Sequence, residues 1–249
     1  MIRLKNEKEI AGIRESGRLL SQTLEELKKL VIEGVATREL DTFARSYIES
    51  RGGKPWFLGY MNYPASVCIS INNEVIHGIP GARRLRAGDI VSIDLGVNLN
   101  GYFSDAALTL PVGAISRKRE ALLRVTRECL ALAVEQAVAG NRISDISRAV
   151  YDHATGNSCG VVRDYCGHGV GFAPHEDPQV PNYVGTGPNP RLKEGMVLAI
   201  EPMINAGSGD VDLLEDGWTV VTADGSDSAH FEHTVVVRRD HMEILTRLD

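Results

Sequence analysis

The stretch Arg84–Asp105, RLRAGDIVSIDLGVNLNGYFSD, decides how the rest of this chain is interpreted. An apolar run at Ile90–Leu95 is followed by the turn-forming letters NLNG at Asn98–Gly101, so the pattern predicts a β-hairpin. Asp94 lies inside the apolar run, and Asp105 closes the segment. A carboxylate in such a run is costly unless it is paired or bound to a metal, although a lone Asp at a strand end is also a common turn or cap residue.

The same pattern returns later in the chain as RLKEGMVLAIE at Arg191–Glu201. Gly88 aligns with Gly195 and Asp94 with Glu201, without a gap. We interpret this as an internal duplication, with two pseudo-symmetric halves, roughly 1–115 and 116–249, that each place a strand-borne carboxylate in a shared centre. Because no linker or compositional shift separates the halves, we expect one domain over residues 1–249.

Composition narrows the class of protein. The 249 residues are 43% hydrophobic and 24% charged, which excludes a disordered chain, and the net charge of −6 argues against nucleic-acid binding through a general basic surface. None of the four cysteines forms a C-x-x-C pair, so we expect reduced thiols. The chain opens with a charged segment, and no apolar run is long enough to span a membrane. We therefore expect a soluble cytoplasmic protein.

The order of predicted elements indicates an α+β fold with mainly antiparallel strands, because helices and strands are grouped and do not alternate as β-α-β units. Apolar spacing and capping residues predict the helices, and β-rich apolar runs predict the strands. The predicted helices are Asn6–Val31, Thr37–Ser50 with Thr37 as N-cap, Ser116–Ala139 and Ile143–Thr155, and the main strands besides the hairpin are Ala65–Ile71, Val197–Ile204, Ala229–Arg238 and Glu243–Leu245.

Five residues have the chemistry of metal ligands in apolar or glycine-rich surroundings: Asp94, Asp105, His168, Glu201 and Glu232. Four converging carboxylates without cationic neighbours would repel one another, and two divalent cations that share bridging carboxylates match both the charge and the number of donors. One imidazole among four oxygen donors suits Mn, Fe, Co or Zn. Considered singly, however, His168 could be a core histidine, and a lone Glu in a strand usually faces solvent.

Five segments resemble type I methionine aminopeptidases of the minimal bacterial form, and the match covers essentially the whole chain. They are SVCISINNEVIHGIP, GDIVSIDLGVNLNGYFSDAA, GHGVGFAPHEDPQVPNY, LKEGMVLAIEPM and LLEDGWTVVTADGSDSAHFEHTVVV. The resemblance implies the pseudo-twofold pita-bread fold, with a central curved antiparallel sheet and helices on its outer face. It also implies a metallopeptidase that removes the N-terminal methionine from nascent chains when the second residue is small, with a hydroxide bridging two metal ions.

The resemblance assigns a role to each residue of the site. Asp94 would chelate one metal, Asp105 and Glu232 would bridge both, and His168 and Glu201 would bind the other. His175 would hydrogen-bond the scissile peptide and its developing oxyanion, and Glu201 would shuttle a proton to the leaving amine. His77 would contact the peptide nitrogen on the leaving side. His233, beside Glu232, would either support the metal ligands or serve in packing.

The residues that match the methionine pocket are Tyr60, Tyr63, Cys68 and Trp218, although aromatic residues of this kind are also ordinary core. Three positions depart from the common pattern of the family: Phe57, Pro174 and Gly96. These departures concern the shape of the side-chain pocket and not the metal ligands.

Two other functions stay open. The segments DLGV and GYFSDAALTLPVG also resemble the X-Pro aminopeptidases and prolidases of the same fold, which usually carry an extra N-terminal domain. A metal-free binding protein on this fold is a further alternative, although such proteins lose ligands and none is missing here. The resemblance further implies a monomer that makes transient contact with the ribosome, with neither nucleic-acid specificity nor a membrane partner.

Overall fold

The computed structural model describes residues 1–247, and four α-helices flank its sheets. The first begins at Asn6, whose side chain accepts from the Glu9 amide while Glu9 reaches back to the Asn6 amide, a capping box that satisfies two helix-end donors. A short 3-10 turn, Tyr60–Asn62, lies between the first two strands. The helices are α1 Glu7–Leu30, α2 Thr37–Glu49, α3 Arg117–Glu135 and α4 Ile143–Gly156.

The strands of the described residues pair only antiparallel within their sheets, which confirms the predicted α+β class. They form four small sheets, of which the two larger ones carry the site. The strands are β1 Lys54–Pro55, β2 Cys68–Ile71, β3 Glu74–Ile76, β4 Ile90–Leu99, β5 Tyr102–Pro111, β6 Gly160–Val161, β7 Gly167–Gly169, β8 Glu176–Val180, β9 Val197–Ile200, β10 Met203–Asn205, β11 Val211–Leu213, β12 Val220–Thr222, β13 Ser228–His230, β14 His233–Val237 and β15 Met242–Ile244.

The two larger sheets repeat one arrangement. In one, β4 is flanked by β2 and β5, and in the other β9 is flanked by β7 and β14. Two helices precede each central strand in the sequence, α1 and α2 before β4 and α3 and α4 before β9. One apolar cluster joins α1 and α2 to β4, and another joins α3 and α4 to β9. Helices therefore cover one face of each sheet.

The predicted hairpin is present, with its turn at Asn100 and Gly101, both at positive φ (55° and 85°). Thr37, in contrast, is the first helical residue of α2 and not its cap. Ala36 holds the cap position, where its methyl side chain cannot accept a hydrogen bond, and the Thr37 hydroxyl instead hydrogen-bonds the Gly81 backbone. That prediction was wrong because a contact with a distant loop competes with local capping.

Three other predicted elements end early or break. α3 stops at Glu135 because Val138 and Ala139 pair with Arg238 instead of continuing the helix. The predicted strand Val197–Ile204 is interrupted at Pro202, which has no N–H to donate to a ladder. The predicted strand Ala229–Arg238 is likewise split, because the Glu232 amide donates to Ala107 O at 2.9 Å.

Among residues 1–247, no helix has both the length and the apolar character that crossing a membrane requires.

Candidate metal centre and active site

Strand register brings the first two carboxylates onto one face of the β4–β5 hairpin. Gly96 lies opposite Asp105, and Asp94 lies two residues before Gly96 on the same strand. Side chains two residues apart point to the same face, and directly opposed residues share a face, so Asp94 and Asp105 project together. Cys68 on β2 lies opposite Asp94 and therefore joins this face.

The other half supplies the remaining donors. His168 on β7 lies opposite Ala199 on β9, and Glu201 follows two residues after Ala199, immediately after the strand ends. Glu232 lies between β13 and β14 rather than within a strand, and its backbone amide donates a hydrogen bond to Ala107 O, which joins it to β5. The donors from the two halves therefore meet where the two larger sheets approach one another.

The donor atoms are close but do not bond to one another. Ligand atoms of Asp105, His168 and Glu232 all lie within 4.8 Å of one another. His168 Nε2 is 3.8 Å from Asp105 Oδ2 and 3.6 Å from Glu201 Oε1, longer than a hydrogen bond. Because metal–ligand bonds at such centres are about 2.0–2.2 Å, spacings of this size suit atoms that surround a common cation.

Unsatisfied oxygens provide an independent test of whether metal ions fit. Asp94 Oδ1, Asp105 Oδ1 and Glu232 Oε1 are buried without a hydrogen-bond partner. Their side chains belong to residues that are only 8%, 3% and 2% exposed. Buried carboxylate oxygens are rarely left without donors, and coordination of cations is the usual compensation. The residues present therefore fit divalent cations.

Burial and mutual repulsion perturb this cluster strongly. Burial raises the pKa of Asp94 to about 7, and burial together with the neighbouring carboxylates raises the pKa values of Asp105 and Glu232 well above their usual range. Burial acts on Glu201 in the same direction, but His230, His168 and His77 outweigh it and lower the pKa of Glu201 overall. Glu201 is therefore ionised near neutral pH, which suits a proton acceptor.

His175 lies beside the cluster rather than in it. Its ring centroid is 4.2 Å from that of His168, and its Nδ1 lies 2.9 Å from the Tyr60 hydroxyl. Burial and the neighbouring His168 lower the pKa of His175 to about 4. A neutral imidazole with Nδ1 accepting from Tyr60 carries its proton on Nε2, where it can donate.

The segment around His175 is anchored by a buried ion pair. Lys5 Nζ lies 2.6 Å from Glu176 Oε2, and Glu176 Oε1 accepts from the amides of Phe172 and Ala173. Glu176 directly follows His175 in the chain. The ion pair therefore ties the loop that carries His175 to the segment before α1.

His77 also borders the site. Its backbone is left-handed (φ 59°), a conformation that side-chain-bearing residues adopt rarely. Its ring packs edge-on against Tyr165 and Trp218 at centroid distances of 5.7 and 6.0 Å. Burial lowers the pKa of His77 to about 4, so this imidazole too is neutral near pH 7.

An apolar cavity of about 340 Å³ opens onto the carboxylates. Cys68 lines it but is only 2% exposed, and burial together with the nearby Asp94 raises the pKa of its thiol, so it contributes a small apolar wall rather than a nucleophile. All four residues predicted for the pocket line this cavity, and so do three aromatic or apolar neighbours. The lining side chains outside the polar cluster are Tyr60, Tyr63, Cys68, Trp218, Trp56, Phe57 and Met61.

Two of the three departures from the family pattern affect the wall of this cavity. Phe57 is 7% exposed and packs edge-on against Tyr63, with ring centroids 6.4 Å apart. Gly96 lies beneath the indole of Trp56. Pro174 is not among the described lining residues.

His233 faces away from the cluster. Its Nδ1 lies 3.0 Å from Thr246 Oγ1, which also accepts from the Thr234 amide at 3.1 Å. The Thr234 hydroxyl in turn accepts from the Asp105 amide and donates to the Asp105 carbonyl, at 2.9 and 2.8 Å. His233 thus belongs to a polar chain that holds the Asp105 backbone.

Sequence reasoning missed His230. It is 2% exposed, neither ring nitrogen has a hydrogen-bond partner, and its Nε2 lies 3.5 Å from Glu201 Oε2. Glu201 is thereby placed between His168 on one carboxylate oxygen and His230 on the other. The signal was the alternation in HFEH at 230–233, where His230 lies two residues before Glu232.

Comparison with known proteins gives full-length matches. The model of metallopeptidase family M24 matches residues 11–239. A methionine aminopeptidase of Treponema pallidum is 53% identical over 99% of this chain and 96% of that protein, and methionine aminopeptidase 1 of Bacillus subtilis is 50% identical over 100% of both chains.

Solved structures agree with these matches. A methionine aminopeptidase of Rickettsia prowazekii superposes with a TM-score of 0.97 at 40% identity, covering 99% of this chain and 100% of that one. A prolidase of Pyrococcus furiosus superposes with a TM-score of 0.79 at 25% identity, and 66% of that chain is covered. These neighbours confirm the predicted pita-bread fold.

Proposed function

Because this chain belongs to the methionine aminopeptidases of metallopeptidase family M24, we propose that it removes the N-terminal methionine from peptides and nascent proteins whose second residue is small. One observation carries the proposal: a cluster of four carboxylates and a histidine, with unsatisfied oxygens, lies at the end of an apolar cavity. The cavity suits a methionine side chain, because thioether–aromatic contacts add to the burial of apolar area.

We propose two divalent ions as cofactors, drawn from Co, Mn, Fe and Zn. Asp94, Asp105, His168, Glu201 and Glu232 would hold them, and their charge would offset that of the four carboxylates. When bound, such ions polarise a carbonyl oxygen and lower the pKa of a coordinated water towards neutrality.

The chain's own residues would then guide the reaction. Neutral His175 would donate from Nε2 to the carbonyl oxygen as negative charge develops there, and Tyr60 would hold that tautomer through Nδ1. Ionised Glu201 would accept a proton from the attacking water on a carboxylate oxygen and pass it to the leaving amine. His77 would contact the peptide nitrogen on the leaving side.

The proposed setting follows from the substrate. Nascent chains emerge from cytoplasmic ribosomes, so we place the enzyme there, as a monomer that contacts the ribosome transiently. The whole chain, 1–249, would act as a single catalytic domain in which each half contributes ligands.

The test is release of free methionine from a Met-Ala-Ser peptide by metal-stripped protein to which Mn, Fe, Co or Zn is added, with an Ala-Pro peptide assayed in parallel. We expect metal-dependent release of methionine without Ala-Pro cleavage. Asp105→Ala should abolish the activity with the fold intact, whereas Asp152→Asn, at an exposed position of α4, should leave it unchanged.

Other results would overturn the proposal in distinguishable ways. Cleavage of Ala-Pro alone would establish the X-Pro alternative that the prolidase likeness raises. A protein that takes up no metal on titration would instead be a binding protein.

A further inference from the structure

Position 96 lies next to two of the proposed metal ligands in the β4–β5 hairpin. It follows Asp94 by two residues on β4 and lies opposite Asp105 on β5, so a side chain there would project from the same face of the hairpin as the two carboxylates. The residue is glycine, and its backbone is in no left-handed conformation that would by itself require glycine. The requirement for glycine is therefore steric: a neighbouring group occupies the space that a side chain would need.

The indole of Trp56 fills that space. A Cβ added at Gly96 would overlap the Trp56 ring at Nε1, far inside van der Waals contact. Both the backbone and the ring of Trp56 are held in place, because the Trp56 amide donates to Gly96 O and the ring Nε1 donates to Ser104 O, each at 3.2 Å. Trp56 thus takes, from the neighbouring segment after β1, the position that a side chain at 96 would have.

From this position Trp56 connects the cavity wall to a residue of the proposed chemistry. Its ring packs edge-on against Phe57, Tyr60 and His175, at centroid distances of 4.2, 5.4 and 5.5 Å. It also lines the apolar cavity itself. An aromatic residue whose backbone and ring are each held by a hydrogen bond provides a rigid wall, since little side-chain entropy remains to be lost when a ligand binds.

We propose that Trp56 is a specificity-determining residue for the side chain of the substrate's first residue, and that Gly96 is the residue that makes room for it. This inference rests on the proposed function for the identity of the substrate. The wall formed by Trp56 would bind the methionine side chain and exclude bulkier first residues.

Trp56→Ala should raise the KM for Met-Ala-Ser about tenfold while kcat changes little, because a wall contact stabilises bound substrate and transition state alike. The enlarged cavity should also admit Phe-Ala-Ser, which the unaltered protein should reject. Trp56→Phe keeps a ring but loses the indole N–H, so its KM for Met-Ala-Ser should lie between those of the unaltered protein and Trp56→Ala. Leu58→Ala, on the same loop but at an exposed position outside the cavity, serves as the matched control and should change neither KM nor selectivity.

The coupling with Gly96 separates this role from simple loss of stability. Gly96→Ala should displace the indole and reproduce the raised KM and relaxed selectivity of Trp56→Ala. The double variant Trp56→Ala/Gly96→Ala should have a KM no higher and a selectivity no more relaxed than Trp56→Ala alone. Such non-additivity is expected only if both substitutions act on one contact. Folding of each variant is checked by urea unfolding.

Titration with L-methionine distinguishes failure of this inference from failure of the proposed function. A protein that binds methionine but releases none from peptides would overturn the proposed reaction, while about tenfold weaker methionine binding by Trp56→Ala would still support the pocket role. Folded Trp56→Ala with unchanged KM, methionine affinity and first-residue selectivity would overturn the role of Trp56, as would additive effects in the double variant. A protein with neither turnover nor methionine binding would overturn both the proposed function and the role of Trp56.

Discussion

Asp94→Asn in metal-free protein should raise the free energy of unfolding, although it removes a proposed metal ligand. Burial raises the pKa of Asp94 from 3.8 to about 7. Because the folded-state pKa lies above the unfolded one, this group's contribution to stability is present below pH 3.8 and is lost as the pH rises through 7. Asparagine has nearly the same shape and does not ionise.

The magnitude follows from linkage between ionisation and folding. With a pKa of about 7 in the folded state and 3.8 in the unfolded state, the ionisation of Asp94 costs about 2 kcal/mol at pH 5 and about 4 kcal/mol at pH 8. Metal-free Asp94→Asn should therefore exceed the unaltered protein in stability by an amount that grows between these two pH values.

Urea unfolding of protein treated with chelator, at pH 5 and pH 8, measures the difference. Saturating Mn should then reduce the advantage of the variant at pH 8, since a ligand at 100 times its Kd adds about 2.7 kcal/mol to the unaltered protein and less to the variant, which binds it less tightly. Asp152→Asn removes an equal charge from an exposed position and should leave both measurements unchanged. A metal-free variant no more stable than the unaltered protein at pH 8 would refute the reasoning.

Three further substitutions test the surroundings of the cluster. His175→Ala should lower kcat about 10²–10³-fold, as loss of an oxyanion donor does, with calorimetric metal affinity unchanged; weaker metal binding would contradict its role as a non-ligand. His230→Ala should weaken Mn binding about 10–100-fold by freeing Glu201, and unchanged affinity in the titration would count against this positioning role. Lys5→Met should lower the free energy of unfolding by about 3–5 kcal/mol in urea, because Glu176 loses its buried partner; Lys8→Met, at an exposed position of α1, is the control.

The duplicated strand pattern was the part of the sequence that predicted most. The match of Asp94 with Glu201 indicated that two distant strands carry equivalent carboxylates, and the structure places both beside one cavity. Period-2 alternation also accounts for Asp105, because the turn at Asn100 and Gly101 determines which residue lies opposite Gly96. These features depend on local pairing rules, which can be read from the chain itself.

Features that depend on contacts between distant segments could not be predicted in this way. The Trp56 ring lies over Gly96 only because β1 adds to the edge of β4, and nothing in WFLGYMNYP indicates that pairing. His230 was missed because its partner Glu201 is brought near by the pairing of β10 with β13. The early end of α3 has the same origin, since Arg238 competes for its last residues.

The division of donors between the halves has a thermodynamic consequence for assembly. Asp94 and Asp105 belong to the first half, while His168, Glu201 and Glu232 belong to the second. Two fragments separated in the loop before α3 would each carry an incomplete donor set, so their reassociation would be coupled to metal uptake. The ions would act as a cross-link between fragments, and the affinity of one fragment for the other would vary with the concentration of free metal.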